Sequence, residues 1–195
     1  MTTTRLEAFS DGVIAILITI MVLEFKVPHE PTLEALRPLA PTFLVYVMSF
    51  IYLGIYWSNH HHLLHLTRRV NGAVLWANLH LLFWLSLVPF ATSWMSEYHD
   101  APVPTAAYGV VLICAGAAYT ILVRALIAAD DVDAPLRQAI GHDFKGWISI
   151  AAYFVAILLA FVQQWLAEAI YVAVAMMWLV PDRRIERHQP RPRPR

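Results

Sequence analysis

The sequence predicts an all-α integral membrane protein with six transmembrane helices in each subunit. Hydrophobic residues make up 59% of the 195 residues and charged residues only 14%, whereas a soluble domain carries about 25% charged residues. The hydrophobic residues also lie in runs close to the roughly 20 residues that a helix needs to cross a bilayer. These observations exclude a soluble globular domain. The single cysteine, Cys114, excludes a disulfide framework and a cysteine-based metal site.

Charged or proline-containing segments separate the six predicted spans. The spans cover residues 9–25, 41–66, 70–98, 105–129, 147–162 and 165–180. Pro89 predicts a bend in the third span, because a proline inside a helix removes a backbone hydrogen bond. The last two spans are short, so a re-entrant hairpin remains an alternative to two full crossings. Residues 1–180 form one predicted domain, and the Arg- and Pro-rich tail of residues 181–195 is expected to be disordered and to contact anionic lipid.

The distribution of basic residues predicts that both termini are cytoplasmic. Cytoplasmic loops of membrane proteins carry an excess of Lys and Arg. With six spans and an inner N-terminus, twelve of the fourteen basic residues lie on the inner side, and only Lys26 and Arg37 lie outside. The excess persists without the tail, where six basic residues lie inside and two outside.

Polar side chains are concentrated at the predicted inner ends of the first three spans. Ser10 and Asp11 begin the first span, the run SNHHHLLH of residues 58–65 ends the second, and Asn78 and His80 lie near the start of the third. Buried polar groups are costly without partners, and a charge at the bilayer centre costs roughly 2.5 to 3.5 kcal/mol on translocon scales. We therefore predict a cytoplasmic-side hydrogen-bond network joining these helices. A helix cap formed by Ser10 and Asp11 is the alternative for those two residues.

The histidine run leaves chemical alternatives open. His61 and His65 are about one helical turn apart, as are His62 and His65, and His80 could approach from the next span. Such pairs can bind Zn²⁺, but no Cys or carboxylate nearby in the sequence completes a closed site, so no metal site is predicted. Histidines also ligate haem. A membrane haem redox protein that uses these residues or His60 is therefore an alternative function.

The first span carries a stripe of mostly apolar residues. In the segment RLEAFSDGVIAILITIMVLEF, residues 5–25, the charged residues lie only towards the two ends. At helical spacing, one stripe contains Gly12, Ile16, Thr19, Ile20 and Leu23. Any apolar helix in a bundle shows such a face. The spacing alone therefore leaves a pore lining and an ordinary packing face as alternatives.

Three segments of the first half carry a family resemblance. Residues 5–25 begin with R-x-x-x-F-S-D, residues 56–65 read YWSNHHHLLH, and residues 75–94 read LWANLHLLFWLSLVPFATSW. These segments resemble the first three helices of the transmembrane protein 175 family, which comprises the lysosomal potassium channel and its bacterial relatives. The resemblance is specific over about residues 5–95 and rests on hydropathy thereafter. The chain departs from the family at Leu64-His65, where Leu-Phe is usual.

The resemblance implies a potassium-selective channel in a bacterial cell (inner) membrane. It implies a homotetramer of six-helix subunits, with the first helices lining a central pore. Ile16 is the implied narrow point, Thr19 matches the position associated with cation selectivity, and Ile20 and Leu23 are further apolar rings. Arg5, Phe9, Ser10 and Asp11 match the family motif whose role is to hold the helices together. The predicted helix network also includes Trp57, His60, His61, Asn78 and His80.

No TVGYG filter is expected in this channel. The segment TAAYGV, residues 105–110, differs from TVGYG at two of its five positions and begins a continuous apolar helix, whereas a carbonyl filter needs backbone oxygens in a loop. Rings of Ile and Leu that narrow would instead expel water and close the path. Because K⁺ holds its water less tightly than Na⁺, a tight apolar throat penalises Na⁺ more, and the Thr19 hydroxyls could replace lost water oxygens.

The remaining expectations concern partners and chemistry. We expect other copies of the chain, K⁺ as the permeant ion and membrane lipid as partners, with no nucleic acid, no cofactor and no enzyme activity. A cation transporter that works by alternating access is a further alternative, although the sequence shows no obvious inverted repeat.

Overall fold

The computed structural model describes residues 2–67, 69–129 and 144–179, and the regular structure in these residues is helical. The α-helices are α1 Thr3–Ile20, α2 Ala40–His65, α3 Gly72–Ser86, α4 Val88–Glu97, α5 Pro102–Ala129, α6 Phe144–Ala160 and α7 Gln164–Leu179. Two 3₁₀ helices, Met21–Glu24 and Glu34–Leu39, extend α1 and precede α2. The predicted tail of residues 181–195 and most of the polar segment before α6 lie outside the described residues.

Among the described residues, four helical segments are long and apolar enough to cross a membrane, namely residues 3–24, 34–65, 72–97 and 102–129. They correspond to the first four predicted spans. The helices α6 and α7 are apolar but contain only 17 and 16 residues. At 1.5 Å per residue, each is about 25 Å long, somewhat less than the roughly 30 Å hydrocarbon core of a bilayer.

The helix α1 begins well before the polar pair Ser10-Asp11. Thr2 is the N-cap, and its side chain accepts a hydrogen bond from the backbone N–H of Arg5. The helix then continues through Ser10, whose hydroxyl donates to the carbonyl of Leu6 at 2.9 Å. The alternative in which Ser10 and Asp11 cap the helix is therefore wrong, and both side chains are available to contact other helices.

The third predicted span is interrupted at Leu87, which separates α3 from α4. Pro89 lies in the first turn of α4, where its missing backbone N–H needs no helical partner. The N–H of Leu87 bonds to the carbonyl of Trp84 at 3.2 Å, which tightens the last turn of α3. The bend predicted at Pro89 is therefore observed as an interruption of the helix two residues before the proline.

The central helix of the subunit is α5, which packs against α3, α4, α6 and α7. The helix α2 joins this core through α1, α4 and α7. Gly109 of α5 permits the close approach of α6 and α7, because a Cβ at this position would collide with the Tyr171 hydroxyl and with Ile157. The segment TAAYGV therefore lies within a continuous helix, and its glycine has a packing role.

Buried hydroxyl groups between these helices are paired. The Tyr52 hydroxyl donates to the carbonyl of Tyr171 at 2.6 Å, and the Tyr171 hydroxyl donates to the carbonyl of Thr105 at 3.0 Å. Ser49 and Tyr108 are hydrogen-bonded to each other at 3.0 Å. These contacts connect α2, α5 and α7 inside the subunit, and they satisfy polar groups that would be costly if buried without partners.

Candidate ion pathway and helix network

The predicted stripe on α1 is exposed on the surface of the single subunit. The exposed fractions are 62% for Ile16, 46% for Ile20 and 76% for Leu23, and Gly12 and Thr19 are exposed as well. The opposite face of α1 packs into the subunit, with buried Leu6, Ser10, Ile14, Leu17 and Met21. The subunit therefore buries one face of α1 and leaves the stripe to contact lipid, another copy of the chain or an aqueous path.

Thr19 is the polar side chain in the middle of this apolar surface. Its hydroxyl donates to the carbonyls of Ala15 and Ile16, at 3.0 and 3.1 Å. The single hydroxyl hydrogen is shared between these two carbonyls, so the lone pairs of Oγ1 remain available as acceptors. Thr19 Oγ1 can therefore act as an oxygen ligand for a cation, because the hydroxyl hydrogen points to the backbone carbonyls and not to the ion.

The C-terminal end of the stripe differs from the prediction. An α-helix was predicted through residue 25, but residues 21–24 form a 3₁₀ turn. A 3₁₀ helix has three residues per turn and a rise of about 2.0 Å, so Leu23 lies above Ile20 on the same face. The rise from Ile16 to Leu23 is then about 12 Å, compared with about 10 Å in a continuous α-helix.

Contacts from α4 hold this 3₁₀ turn and the residues that follow it. The Ser93 hydroxyl donates to Glu24 Oε2 at 2.7 Å, and Lys26 Nζ forms an ion pair with Glu97 Oε2 at 3.4 Å. These groups line a cavity of about 260 Å³ with residues from the start of α2. Glu24 thereby places a carboxylate one residue after the apolar stripe, a feature that the sequence reasoning did not use.

A buried hydrogen-bond chain connects the first three helices at the opposite end. Asn78 Nδ2 of α3 donates to Ser10 Oγ of α1 at 2.9 Å, and Asn78 Oδ1 lies 2.7 Å from His60 Nε2 of α2. Since the amide oxygen can only accept, His60 carries a hydrogen on Nε2, and its buried Nδ1 lacks a hydrogen-bond partner among the described residues. Ser10, His60 and Asn78 therefore join α1, α2 and α3.

A second, less buried set of contacts also joins α1 to α2. Trp57 Nε1 donates to Asp11 Oδ1 at 3.1 Å, and the Trp57 ring stacks on His61 with centroids 6.1 Å apart. One turn earlier on α1, Glu7 Oε1 lies 2.8 Å from His61 Nδ1 and 3.3 Å from His65 Nδ1. The sequence reasoning missed Glu7, although Glu7 and Asp11 are four residues apart and share a helix face.

Three predicted network residues lie outside these contacts. The side chains of Arg5 and Phe9 are exposed. His80 is also exposed, and its Nε2 accepts a hydrogen bond from Trp84 Nε1 of the same helix at 2.9 Å. Asn78 and His80 are two residues apart, about 200° around the helix, so they face opposite sides. Because Asn78 points into the subunit, His80 is directed away from the hydrogen bonds that join α1, α2 and α3.

The chain is similar to proteins named as potassium channels and as proton channels. The family described as "Endosomal/lysosomal potassium channel TMEM175" matches residues 5–89. A potassium channel of Chryseobacterium sp. (strain P1-3) is 52% identical over 187 residues, which cover 96% of this chain and 97% of that one. A relative from Gallus gallus, named endosomal/lysosomal proton channel TMEM175, is 32% identical over 108 residues, which cover 49% of this chain and 22% of that one.

A solved structure shares the fold. The crystal structure of a lysosomal potassium-selective channel TMEM175 homolog from Chamaesiphon minutus superposes with a TM-score of 0.76 at 31% identity, covering 91% of this chain and 96% of that chain. Together with the apolar helices, these similarities define a multi-pass membrane protein of a potassium channel class. The chain belongs to the TMEM175 family.

Proposed function

We propose that this protein is a K⁺-selective channel of a bacterial inner membrane, formed by four copies of a six-helix subunit around a central pore lined by α1. Ile16 forms the narrow point, Thr19 supplies oxygen ligands, and Ile20 and Leu23 add apolar rings. The main observation in support of the proposal is that the subunit leaves the stripe on α1 exposed. Hydrogen bonds from the other side of α1 hold the helix against α2 and α3. The potassium channel names of the relatives support K⁺ as the permeant ion.

The proposed mechanism of selectivity is partial dehydration in an apolar throat. Rings of Ile16 and Leu23 that approach the axis would expel water and close the path, and widening would let a partly hydrated ion pass. Na⁺ holds its water more tightly than K⁺, so the throat penalises Na⁺ more. Thr19 Oγ1 has lone pairs free to replace lost water oxygens, because its hydrogen is directed to backbone carbonyls.

The proposed topology has six crossings and two cytoplasmic termini. Contacts between helix ends support the crossings of the first three spans, and the distribution of basic residues predicts the cytoplasmic side. The start of α1 contacts the end of α2 through Glu7 and His61, whereas the segment after α1 contacts the end of α4 through Lys26 and Glu97. The Glu7–His61 contact and the Lys26–Glu97 contact therefore lie at opposite ends of the bundle. The domain of residues 1–180 would then contain the whole channel, with residues 181–195 on the cytoplasmic side.

The selectivity proposal is tested by Thr19→Val, which keeps the side-chain shape and removes the oxygen. A hydrogen-bond-sized contribution of 0.5–1.5 kcal/mol corresponds to a loss of K⁺ over Na⁺ preference of about two- to tenfold. Reversal potentials of the reconstituted protein measure this preference. Thr120→Val is the matched control, because Thr120 also donates to a carbonyl of its own helix but lies on α5. An unchanged reversal potential in Thr19→Val would contradict the role of Thr19.

The constriction proposal is tested by Ile16→Ala. Shortening the side chain at the narrow point should widen the closed path and raise the basal K⁺ flux into liposomes. Ile121→Ala is the control, since Ile121 is an exposed isoleucine of α5 that the proposal leaves outside the pore. A basal flux equal to that of the unmodified protein would exclude Ile16 from the constriction.

Proton permeation is a second candidate, supported by the name of the Gallus gallus relative. The stripe on α1 contains one hydroxyl group and otherwise carbon side chains, which disfavours a continuous proton relay. A pH-sensitive dye inside the liposomes separates the candidates. Dye acidification under a pH gradient without any K⁺ flux would favour the proton channel over the K⁺ channel.

A further inference from the structure

The structure places the carboxylate of Glu7 beside His61 and His65, a histidine pair that has no carboxylate near it in the sequence. Glu7 of α1 faces His61 and His65 of α2, and one potential ligand atom from each residue lies within 4.8 Å of the other two. We propose that Glu7, His61 and His65 form a binding site for Zn²⁺, or for a divalent transition metal of similar ligand preference, that bridges α1 and α2.

The spacing of the ligand atoms fits a tetrahedral ion. Zn–N and Zn–O bonds of about 2.0–2.2 Å at tetrahedral angles place neighbouring donor atoms about 3.3 Å apart. Glu7 Oε1 lies 2.8 Å from His61 Nδ1 and 3.3 Å from His65 Nδ1. The ligand nitrogens of the two histidines lie within 4.8 Å of each other, so side-chain rotations that shorten this third distance bring the three atoms around one ion.

The donor set is also chemically suited to zinc. Two imidazole nitrogens and one carboxylate oxygen form a recurring zinc ligand set, which leaves the fourth position to water. Without metal, a hydrogen on each Nδ1 accounts for the contacts to Glu7 Oε1. Metal binding requires the lone pairs of the Nδ1 atoms, so each neutral ring then carries its hydrogen on Nε2, and the ion lies between the two rings and the carboxylate.

Neighbouring residues orient the ligands and leave the site accessible. The Trp57 ring stacks on His61 and is itself held by Asp11. The side chain of Glu7 is only 17% exposed, whereas that of His65 is 62% exposed. The carboxylate and one imidazole are thus held within the helix pair, and the second imidazole lies at the surface, where an ion can enter.

Bound metal would connect the first turns of α1 to the last turns of α2. The connection adds to the bond between Asp11 and Trp57, one turn further along the same helix pair. An ion that binds the folded protein and not the unfolded chain raises the melting temperature, by an amount that grows with metal concentration. The site is therefore expected to give two independent signals, bound metal and increased thermal stability.

The experiment uses the full chain in detergent without a polyhistidine tag, dialysed against micromolar Zn²⁺. Metal analysis should find one tightly bound Zn²⁺ per subunit, and the melting temperature should rise with Zn²⁺ and return after chelation. Glu7→Gln and His65→Ala should each weaken Zn²⁺ binding by at least about tenfold. Glu7→Gln keeps the side-chain shape and an oxygen acceptor, and His65 is largely exposed, so these changes preserve the fold.

The controls replace titratable residues outside the cluster. His62→Ala and His99→Ala should retain both the bound Zn²⁺ and the stabilisation. With Co²⁺ in place of Zn²⁺, the unmodified protein should show the visible absorption of a tetrahedral ion, and Glu7→Gln should lose it. Equal Zn²⁺ binding by the unmodified protein, Glu7→Gln and His65→Ala would overturn the proposal, as would the absence of bound Zn²⁺ from the unmodified protein.

Discussion

Asn78 is the residue through which the first three helices are joined. Its side-chain amide contacts Ser10 and His60 with its two ends, so one buried side chain fixes the relative positions of α1, α2 and α3. The sequence predicts polar contacts between these helices, because their polar residues lie at the same end of the predicted spans. The particular pairs depend on the rotation of each helix, which the sequence pattern leaves open.

The first prediction concerns this chain of hydrogen bonds. Ser10→Ala removes the acceptor of Asn78 Nδ2 and leaves a buried donor without its partner. The free energy of unfolding should fall by about 1–2 kcal/mol, measured by detergent-induced or thermal unfolding. Ser86→Ala is the control, because the exposed Ser86 hydroxyl bonds only to Phe83 of its own helix. Equal losses in both variants would contradict the role of Ser10.

Glu7 and His80 show the limit of prediction at the residue scale. Glu7 was overlooked because its partners, His61 and His65, are more than 50 positions away in the sequence. Only the register of α1 against α2 brings them together. His80 was included because it lies near Asn78 in the sequence, although the 100° rotation per residue directs the two side chains to different sides.

The helices themselves were largely predictable, and their ends were not. Long apolar runs located the four helical segments capable of crossing a membrane, and Pro89 indicated the region in which the third is interrupted. The 3₁₀ turn after α1 was unexpected. It lies where Glu24 contacts Ser93 of α4. Tertiary contacts that hydrophobic periodicity cannot reveal therefore hold the C-terminal end of the stripe.

The second prediction concerns the packing of α5. Gly109→Ala places a methyl group against the Tyr171 hydroxyl and Ile157, so the side chains of these two residues must move away from α5. Overpacking of this kind costs about 1–3 kcal/mol, and the melting temperature should fall. Gly54→Ala is the control, because a Cβ at Gly54 meets nothing within 4 Å in the subunit. A melting temperature of Gly109→Ala as high as that of Gly54→Ala would contradict the proposed packing role.

At the scale of the whole molecule, the described residues leave the stripe on α1 exposed. The stripe from Ile16 to Leu23 is apolar and uncovered in the subunit, and the proposed tetramer would place four such stripes around one axis. The sequence could predict the stripe from its helical spacing. It could not decide between lipid, another subunit and an ion path as the neighbour of that stripe, because this choice depends on assembly.

The third prediction concerns this assembly. The purified protein should have a mass of about four times the subunit mass of 22.1 kDa, measured by native mass spectrometry after release from detergent. Ile20→Glu should shift the distribution towards smaller species, since it introduces a charge on the exposed face of α1 at the centre of the proposed assembly. A stable monomer or dimer of the unmodified protein would contradict the tetramer.

The central claim is that the stripe on α1 faces the ion path. Modification of a cysteine placed on this stripe tests the claim most directly. In a Cys114→Ala background, Leu23→Cys places one thiol at the outer end of the stripe, and Val103→Cys places one at the exposed start of α5. A charged, membrane-impermeant thiol reagent is then applied to the outer side during K⁺ flux. We expect modification to reduce the flux through Leu23→Cys and to leave Val103→Cys unaffected. An undiminished flux through fully modified Leu23→Cys would contradict a pore lined by α1.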